Sequence, residues 1–301
     1  MAQTESRSLA AKQSAGTELV AAITVSYGSL AMLPGLLVSI PAASSKPVLT
    51  IVADNKASGD DNAEAVAHQF GAQYYPLPTN VGYGSAINAA AKNLPESIEW
   101  ILVVNPDVVL EPGSIDALVA AGSESEDVGS VGPLTLTSEG TVYASARAVP
   151  SLRTGVGHAL FVNLWIDNPW TKAYRFDTTA EPSRRDAGWL SGACVLVRRS
   201  DFDALGGFDE GYFMYFEDVD LGYRLGKLGK RNVYEPTAAV THTGAHSTTA
   251  DSERMIATHH ASARRFLSRK YAGAWLWPVR VTLTIGLYLR SALVRRRVGR
   301  Q

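Results

Sequence analysis

The sequence predicts an α/β fold in which helices flank a central sheet that both halves of the chain build. In the first half, short apolar β-branched runs alternate with stretches of helical periodicity, as in βαβ units with a parallel sheet. After residue 132 a less regular stretch leads to another apolar run, which we expect to complete the same sheet. The predicted strands span residues 20–26, 48–53, 73–77, 100–104 and 188–199. The predicted helices span residues 29–40, 58–70, 83–93, 113–121, 218–226 and 251–270.

The composition indicates a globular protein whose charge is unevenly distributed. Of 301 residues, 46% are hydrophobic and 19% are charged, and the formal net charge is -1. Residues 271–301 hold six arginines and no acid, so residues 1–270 carry a net charge of -7. This acidic body argues against a nucleic-acid-binding surface, whereas the basic end favours an anionic membrane surface. The single Cys194 excludes an intrachain disulfide.

Both ends of the chain carry distinct signals. Residues 1–18 are polar and lack an apolar segment, so we expect a disordered leader and no secretory signal. Residues 274–294 are apolar, but Arg280 and Arg290 interrupt them, which favours an interfacial amphipathic helix over a membrane span. Trp275 would suit the headgroup zone. A docking helix with a solvated basic end is the alternative interpretation.

Polar residues follow the strands of the first half. Asp54 and Asn55 come directly after the second strand, where a carboxylate can bind a nucleobase or ribose, or else cap the next helix. The stretch "NVGYGSAIN" (residues 80–88) sets Gly82 and Gly84 at a strand-to-helix turn. Backbone there can approach a phosphate or sugar, although a glycine turn without a ligand is equally compatible. The third glycine of a dinucleotide fingerprint is absent, which disfavours an oxidoreductase.

A carboxylate also follows the fourth strand. In "LVVNPDVV", Pro106 fixes the backbone before Asp107, so this side chain can hold a divalent cation together with substrate phosphates. The alternative is a turn aspartate beside a proline. Further along, His242 and His246 flank "THTGAHST", where an imidazole can complete a metal site or remain an ordinary core or surface residue.

The stretch "YFMYFEDVDLGYRL" (residues 212–225) places three carboxylates behind an aromatic run. Glu217 and Asp218 fall near the start of the predicted helix, where negative charge is favoured, and an apolar wall raises a carboxyl pKa towards that of a general base. Asp220 and Arg224 are spaced i,i+4 and can form a structural ion pair.

Taken in order, these motifs resemble the family 2 glycosyltransferases with the GT-A fold over about residues 20–270. The motifs are "ADN", "NVGYGSAIN", "NPDV", "WLSGACVLVRR", "GGFDEGYFMYFEDVDLGYRLGKLG" and "HTGAHST". Within the family, the chain resembles the rhamnosyltransferases of mycobacterial-type cell walls, which add rhamnose to polyprenyl-diphosphate N-acetylglucosamine in the linker unit. The resemblance implies an inverting transfer from dTDP-L-rhamnose that depends on Mn²⁺ or Mg²⁺.

The resemblance also implies a role for each motif. Asp218 would be the catalytic base, with Glu217 beside it, and Asp107 would hold the cation with His242 next to it. Asn105 replaces the first aspartate of the family's Asp-x-Asp motif, which leaves one carboxylate there. The donor-binding residues would be Asp54, Asn55, Asn80, Gly82, Gly84 and Asn105, with Asp54 on the nucleobase. The rim of the acceptor sugar would be formed by Trp189, Ser191 and Gly192.

The resulting domain scheme has a leader (1–18), a GT-A domain (19–270) and a basic amphipathic tail (271–301). The GT-A domain divides into a nucleotide-sugar half (19–132) and an acceptor half (133–270). We expect a cytoplasmic enzyme held peripherally on the inner face of the cell membrane. The alternatives are a transferase for another donor or acceptor, a sugar nucleotidyltransferase, and a catalytically silent nucleotide-sugar-binding scaffold. The lack of an early glycine-rich loop with a lysine disfavours the second, and the presence of both Asp107 and Asp218 disfavours the third.

Overall fold

A mixed β-sheet forms the centre of the structure, a computed structural model that describes residues 19–56, 62–151, 182–244, 252–278 and 281. The strands are β1 (Val20–Ser26), β2 (Val48–Asp54), β3 (Gln73–Pro76), β4 (Trp100–Val104), β5 (Val108–Leu110), β6 (Val128–Thr137), β7 (Val142–Tyr143), β8 (Ala146–Arg147), β9 (Arg185–Ala187), β10 (Trp189–Leu190), β11 (Cys194–Arg198) and β12 (Arg231–His242). The helices are α1 (Leu33–Ala43), α2 (Ala63–Gln69), α3 (Tyr83–Ala91), α4 (Ser114–Ser123), α5 (Arg199–Ala204), α6 (Glu217–Lys227) and α7 (Ser252–Lys270), and Ala274–Leu276 form a 3-10 helix.

The main sheet has the strand order β3-β2-β1-β4-β11-β6-β12-β5, with β7 paired to β6 and β9 to β12. Strands β3, β2, β1 and β4 run parallel, which confirms the βαβ prediction for the first half. Strand β11 then pairs antiparallel with β4, so the second half of the chain completes the same sheet, as predicted. Strands β8 and β10 form a separate two-stranded sheet.

Burial on both faces explains why the central strands are continuous apolar runs. Every residue of β1 and β4 is buried. Along β4, Trp100 and Leu102 pack into the core layer on one face, whereas Ile101 and Val103 pack into the layer on the other. This alternation is the two-residue period of a strand covered by helices on both sides.

One sequence-based boundary is wrong. The single strand predicted over residues 188–199 is two short strands, because the chain turns between β10 and β11. At this turn the Ser191 N–H donates to the Ser145 carbonyl (2.7 Å) and the Cys194 N–H to the Ser191 carbonyl (3.3 Å). The turn carries Gly192, one of the predicted site residues, whose N–H and carbonyl bond the side chains of Asp218 and Tyr83 instead of a neighbouring strand.

The topology brings distant segments to one edge of the sheet. The parallel strands β1, β2 and β4 end there, and β11 starts there, with Cys194 opposite Val104. Strand β12 ends with His242 opposite Val108, the first residue of β5, and Asp107 directly precedes Val108. This edge therefore gathers the residues after β2, after β4, before β11 and at the end of β12.

The aromatic segment before α6 packs against α7. Tyr212, Val219 and Phe266 form a small buried cluster there. The Ser262 hydroxyl donates to the Met214 carbonyl (2.8 Å). Two α7 arginines, Arg265 and Arg269, pair with Asp209, which fastens the far end of this segment to α7. Helix α6 begins at Glu217, which confirms the predicted position of the acid pair at a helix N-terminus.

Helix α7 ends at Lys270, as predicted, and the 3-10 helix follows it. Trp275 is 94% exposed and Trp277 61% exposed. Across the part of the chain that the structure describes, no helix is both long and apolar enough to cross a membrane. The predicted leader, His246 and most of the basic tail lie outside the described residues.

Candidate active site

Asp54 lies at the end of β2, where the sequence placed it, and its side chain is buried. Its Oδ2 accepts a hydrogen bond from the Tyr74 hydroxyl (2.7 Å), and its Oδ1 accepts one from the Lys56 N–H (3.0 Å). These bonds fix the carboxylate, and each oxygen keeps a second lone pair with which to accept from a ligand.

Asn55 and Asn80 tie the loop before α3 to the end of β2. The Asn55 amide donates to Asn80 Oδ1 (2.9 Å) and to the Gly82 carbonyl (3.2 Å), and its Oδ1 accepts from the Val81 N–H (2.9 Å). Asn80 Oδ1 also accepts from the Gly82 N–H (3.1 Å). Both amides thus hold the loop in place, and their predicted contact with the donor stays a prediction.

Close packing explains why this loop has glycine at two positions. Gly82 has φ 90°, and a Cβ on it would lie 2.3 Å from the Phe213 carbonyl oxygen. A Cβ on Gly84 would lie 2.8 Å from Phe208 Cβ and 3.6 Å from Glu217 Cβ. Glycine at both positions therefore lets the segment before the acid pair reach the start of α3.

Asp107 and His242 form the candidate metal station. Asp107 is buried, and its Oδ1 lies 3.2 Å from His242 Nε2. Asp107 Oδ2 and His242 Nε2 are both buried without a hydrogen-bond partner among the described residues. A carboxylate oxygen and an imidazole nitrogen without hydrogen-bond partners fit the ligand set of a divalent cation. Such a cation takes few protein ligands when substrate phosphates supply the others. No third histidine, cysteine or carboxylate joins them within the described ranges.

Asn105 lies two residues before Asp107, and its hydrogen bonds are with Ala193 and Tyr83. Its N–H donates to the Ala193 carbonyl (2.8 Å), and its Oδ1 accepts from the Tyr83 hydroxyl (2.8 Å). The residue that replaces the family's first aspartate therefore connects the strand β4 end to the turn before β11.

Glu217 and Asp218 are adjacent but differ in environment. Asp218 accepts hydrogen bonds from the Gly192 N–H (3.0 Å) and the Val219 N–H (2.8 Å), whereas Glu217 Oε2 is buried without a partner among the described residues. Burial and the neighbouring Asp218 raise the pKa of Glu217 to about 8. Burial also raises the pKa of Asp218, but the two N–H donors and the charge of Arg147 oppose that rise. The two N–H donors therefore favour the negative charge of the pair on Asp218 rather than on Glu217.

Asp220 has the structural role that its spacing predicted. Its Oδ2 lies 2.5 Å from Arg224 Nε, and Arg224 also donates to the Leu205 and Gly207 carbonyls (3.1 and 2.9 Å). This ion pair holds α6 against the segment after α5, which leaves Glu217 and Asp218 as the carboxylates that face the site.

Tyr83 joins the two acidic stations, and sequence reasoning missed it. Its hydroxyl bonds Asn105 Oδ1 (2.8 Å) and the Gly192 carbonyl (2.9 Å). Burial and the charges of Glu217 and Asp218 raise its pKa well above the ordinary value, so it stays a neutral donor. The signal was present, since Tyr83 lies between the two glycines that the sequence singled out.

The predicted acceptor rim lies beside Asp218. A Cβ on Gly192 would lie 3.4 Å from Asp218 Cβ, and Trp189 donates from Nε1 to the Ala148 carbonyl (3.1 Å). Ser191 Oγ accepts from the Ala193 N–H (3.3 Å), which stabilises the turn. Arg147, opposite Trp189 in the small sheet, was not predicted because it lies in a stretch that shows no clear periodicity.

Comparison with known proteins agrees with this geometry. A sequence model of the glycosyltransferase like family 2 matches residues 18–261. The chain is 44% identical over 289 residues to N-acetylglucosaminyl-diphospho-decaprenol L-rhamnosyltransferase of Mycobacterium tuberculosis, an alignment that covers 93% of this chain and 94% of the relative.

Two solved structures resemble the fold. The mannosyltransferase PcManGT of Pyrobaculum calidifontis, solved with GDP-Man and Mn²⁺, gives a TM-score of 0.54 at 14% identity, with 93% of this chain and 79% of that chain covered. GalNAc-T7, solved with UDP, GalNAc and Mn²⁺, gives 0.54 at 16% identity, with 76% and 44% covered. The expected GT-A-type fold is confirmed, and the chain belongs to glycosyltransferase family 2.

Proposed function

We propose that this glycosyltransferase moves L-rhamnose from dTDP-L-rhamnose to N-acetylglucosaminyl-diphospho-polyprenol with inversion at the anomeric carbon. The observation that carries the proposal is the pair of stations at one sheet edge, Asp107 with His242 and Asp218 with Glu217, which Tyr83 and Gly192 connect. The substrates are supported by the name of the relative that is 44% identical over 93% of this chain.

The donor side would be built from the ends of β2 and β4. Asp54 would accept hydrogen bonds from the nucleobase, and the loop of residues 80–84 would border the sugar diphosphate. Asp107 and His242 would hold a divalent cation, which supplies positive charge to the departing diphosphate. The unpartnered Asp107 Oδ2 and His242 Nε2 support this assignment.

The acceptor side would be centred on Asp218. As the acceptor hydroxyl oxygen forms its bond to the anomeric carbon, the bond to the dTDP oxygen breaks and the hydroxyl proton passes to Asp218. The Gly192 N–H holds Asp218 in position, and Arg147 helps to keep it ionised. The raised pKa of Glu217 favours its neutral form, which adds no second negative charge beside the leaving diphosphate.

The site would work at the cytoplasmic membrane surface. Support comes from the exposed Trp275 and Trp277, from the six arginines within residues 271–301, and from the lipid-linked substrate in the relative's name. The GT-A domain would divide at residue 132 into a nucleotide-sugar half and an acceptor half.

The test is a transfer assay with purified protein and polyprenyl-diphosphate N-acetylglucosamine. Labelled dTDP-rhamnose is compared with UDP- and GDP-sugars, each with Mn²⁺, with Mg²⁺ or with chelator. We expect product from dTDP-rhamnose alone and only with metal. Product from another donor would replace the rhamnosyl assignment, and binding of dTDP-rhamnose without any turnover would favour a silent scaffold.

A further inference from the structure

Arg147 is a half-buried cation beside the acid pair, and the fold fixes its position. In the small sheet it lies opposite Trp189, and the Gly188 N–H donates to its carbonyl (2.9 Å). Its Nε donates to the Ala144 carbonyl (2.8 Å), and its guanidinium carbon lies 5.7 Å from the ring centroids of both Tyr143 and Trp189. Two aromatic rings and one carbonyl therefore hold the side chain in a single orientation.

The terminal amino groups of Arg147 form no hydrogen bond or ion pair with any of the described residues. Two other arginines nearby differ: Arg184 pairs with Glu124, and Arg185 donates to the Ala146 carbonyl (3.3 Å). A guanidinium presents two parallel donors that match the oxygens of a phosphate. The two terminal amino groups of this half-buried guanidinium are therefore available to bind an anion.

The position of Arg147 identifies which anion this is. Arg147 lies against the Trp189 ring, and Asp218 accepts a hydrogen bond from the Gly192 N–H three residues further along the chain. Both groups therefore border the turn between β10 and β11. An acceptor whose hydroxyl meets Asp218 would cross the Trp189 rim and bring its diphosphate towards Arg147.

The nucleotide-sugar donor also carries a diphosphate, which is the alternative ligand for Arg147. The Tyr143 ring that contacts Arg147 also packs edge-on against His242, at 6.1 Å between centroids, and His242 belongs to the metal station. The contact of Arg147 with Trp189, beside the turn whose Gly192 N–H holds Asp218, favours the acceptor. On the basis of the proposed function, we propose that Arg147 binds the diphosphate of the lipid-linked acceptor and so makes the enzyme selective for diphosphate-bearing acceptors.

The experiment compares two N-acetylglucosamine acceptors, of which only one carries a diphosphate. Polyprenyl-diphosphate N-acetylglucosamine and a neutral alkyl N-acetylglucosaminide are assayed with wild-type protein, Arg147→Gln and Arg147→Lys. We expect Arg147→Gln to lower kcat/KM for the diphosphate acceptor by roughly 10- to 100-fold more than for the neutral acceptor, because only the diphosphate acceptor loses a charge-assisted hydrogen bond. Any effect through Asp218 lowers kcat/KM for both acceptors equally. Arg147→Lys should recover part of the loss, because it keeps the charge without the paired donors.

Arg185→Gln is the matched control, because Arg185 also stacks on a ring, that of Tyr234 (4.5 Å), and one of its terminal amino groups donates to the Ala146 carbonyl. It should leave the ratio of the two acceptors unchanged. An equal loss with both acceptors in Arg147→Gln would overturn the proposal, since the residue would then act on the fold or on Asp218. A loss of dTDP affinity with the acceptor ratio intact would overturn it in favour of the donor diphosphate.

The role of Arg147 can be tested even if the proposed rhamnosyl transfer is wrong. Because the acceptor ratio can be measured with whichever nucleotide sugar turns over, another donor would replace rhamnose without touching the Arg147 assignment. Equilibrium binding of the diphosphate acceptor, measured with dTDP and Mn²⁺ present, needs no turnover at all. Equal binding by wild-type protein and Arg147→Gln would contradict the assignment on its own.

Discussion

His242 Nε2 lies 3.2 Å from Asp107 Oδ1, although the two residues are far apart in the sequence. Pairing of β12 with β5 brings them together, because His242 lies opposite Val108. Neither Nε2 nor Asp107 Oδ2 has a hydrogen-bond partner among the described residues, and this is the basis of the proposed cation site.

Replacement of Asp107 by Asn should weaken metal-dependent donor binding by at least about tenfold, because the site loses its one carboxylate ligand. The measurement is calorimetric titration of dTDP into protein at several Mn²⁺ concentrations. Asp203→Asn, at an exposed acid that pairs with Arg199, serves as the control and should bind like wild type. Unchanged manganese dependence in Asp107→Asn would remove Asp107 from the metal site.

Replacement of Asp218 by Asn should lower kcat by about 10²- to 10⁴-fold, the usual range for loss of a general base. Donor affinity should stay within about twofold, since Asp218 lies on the acceptor side. Glu217→Gln keeps the protonated character of its position and should retain more turnover than Asp218→Asn. If the two variants lost turnover in the opposite order, Glu217 would be the base.

Glu217 should also make stability depend on pH. Its folded-state pKa of about 8 lies above the ordinary value of 4.5, so between these values the folded state binds more protons than the unfolded state. Stability from this group is present below about pH 4.5 and is lost as the pH rises through about 8.

Glu217→Gln has no titrating carboxyl and therefore lacks this loss of stability at high pH. The Tm of the variant minus the Tm of wild type should increase from pH 5 to pH 9. Each pKa unit corresponds to about 1.4 kcal/mol, or about 3–6 °C in Tm for a domain of this size class. Thermal unfolding followed by circular dichroism gives the comparison. A constant difference in Tm across this range would show that Glu217 titrates normally.

Replacement of Tyr83 by Phe removes only the hydroxyl that bonds Asn105 and Gly192. We expect kcat to fall roughly 5- to 100-fold, because the hydroxyl proton that Asn105 Oδ1 and the Gly192 carbonyl share is lost, and Gly192 also positions Asp218. Tyr234→Phe, a buried tyrosine in β12, is the matched control. A fall in thermal stability with kcat intact would assign Tyr83 a purely structural role.

Replacement of both Trp275 and Trp277 by Ser should weaken binding to anionic vesicles by about tenfold or more, since both side chains are exposed. Vesicle co-sedimentation with and without phosphatidylglycerol measures this. Turnover with a water-soluble acceptor should not change. Persistent vesicle binding by the double variant would place the membrane contact elsewhere.

The sequence was sufficient wherever local pattern determines structure. Apolar runs located β1, β2 and β4, so Asp54 and Asp107 were placed correctly at strand ends, and i,i+4 spacing identified the Asp220–Arg224 pair. The family resemblance added the fold and the order of the motifs.

The sequence was insufficient where long-range pairing decides the site. Nothing in local spacing sets His242 against Asp107, because that contact needs the β12–β5 ladder. Arg147 reaches Trp189 only through the small two-stranded sheet, and the role of Tyr83 depends on two loops that follow different strands. The break between β10 and β11 was missed because the flanking residues are apolar on both sides.

The measurement that tests the central claim most directly is the anomeric configuration of the product formed from dTDP-L-rhamnose and the diphosphate acceptor, determined by NMR. A single displacement with Asp218 as base predicts a rhamnosyl product of inverted configuration, formed only when metal is present. A product that retains the donor configuration, or one that carries another sugar, would contradict the account.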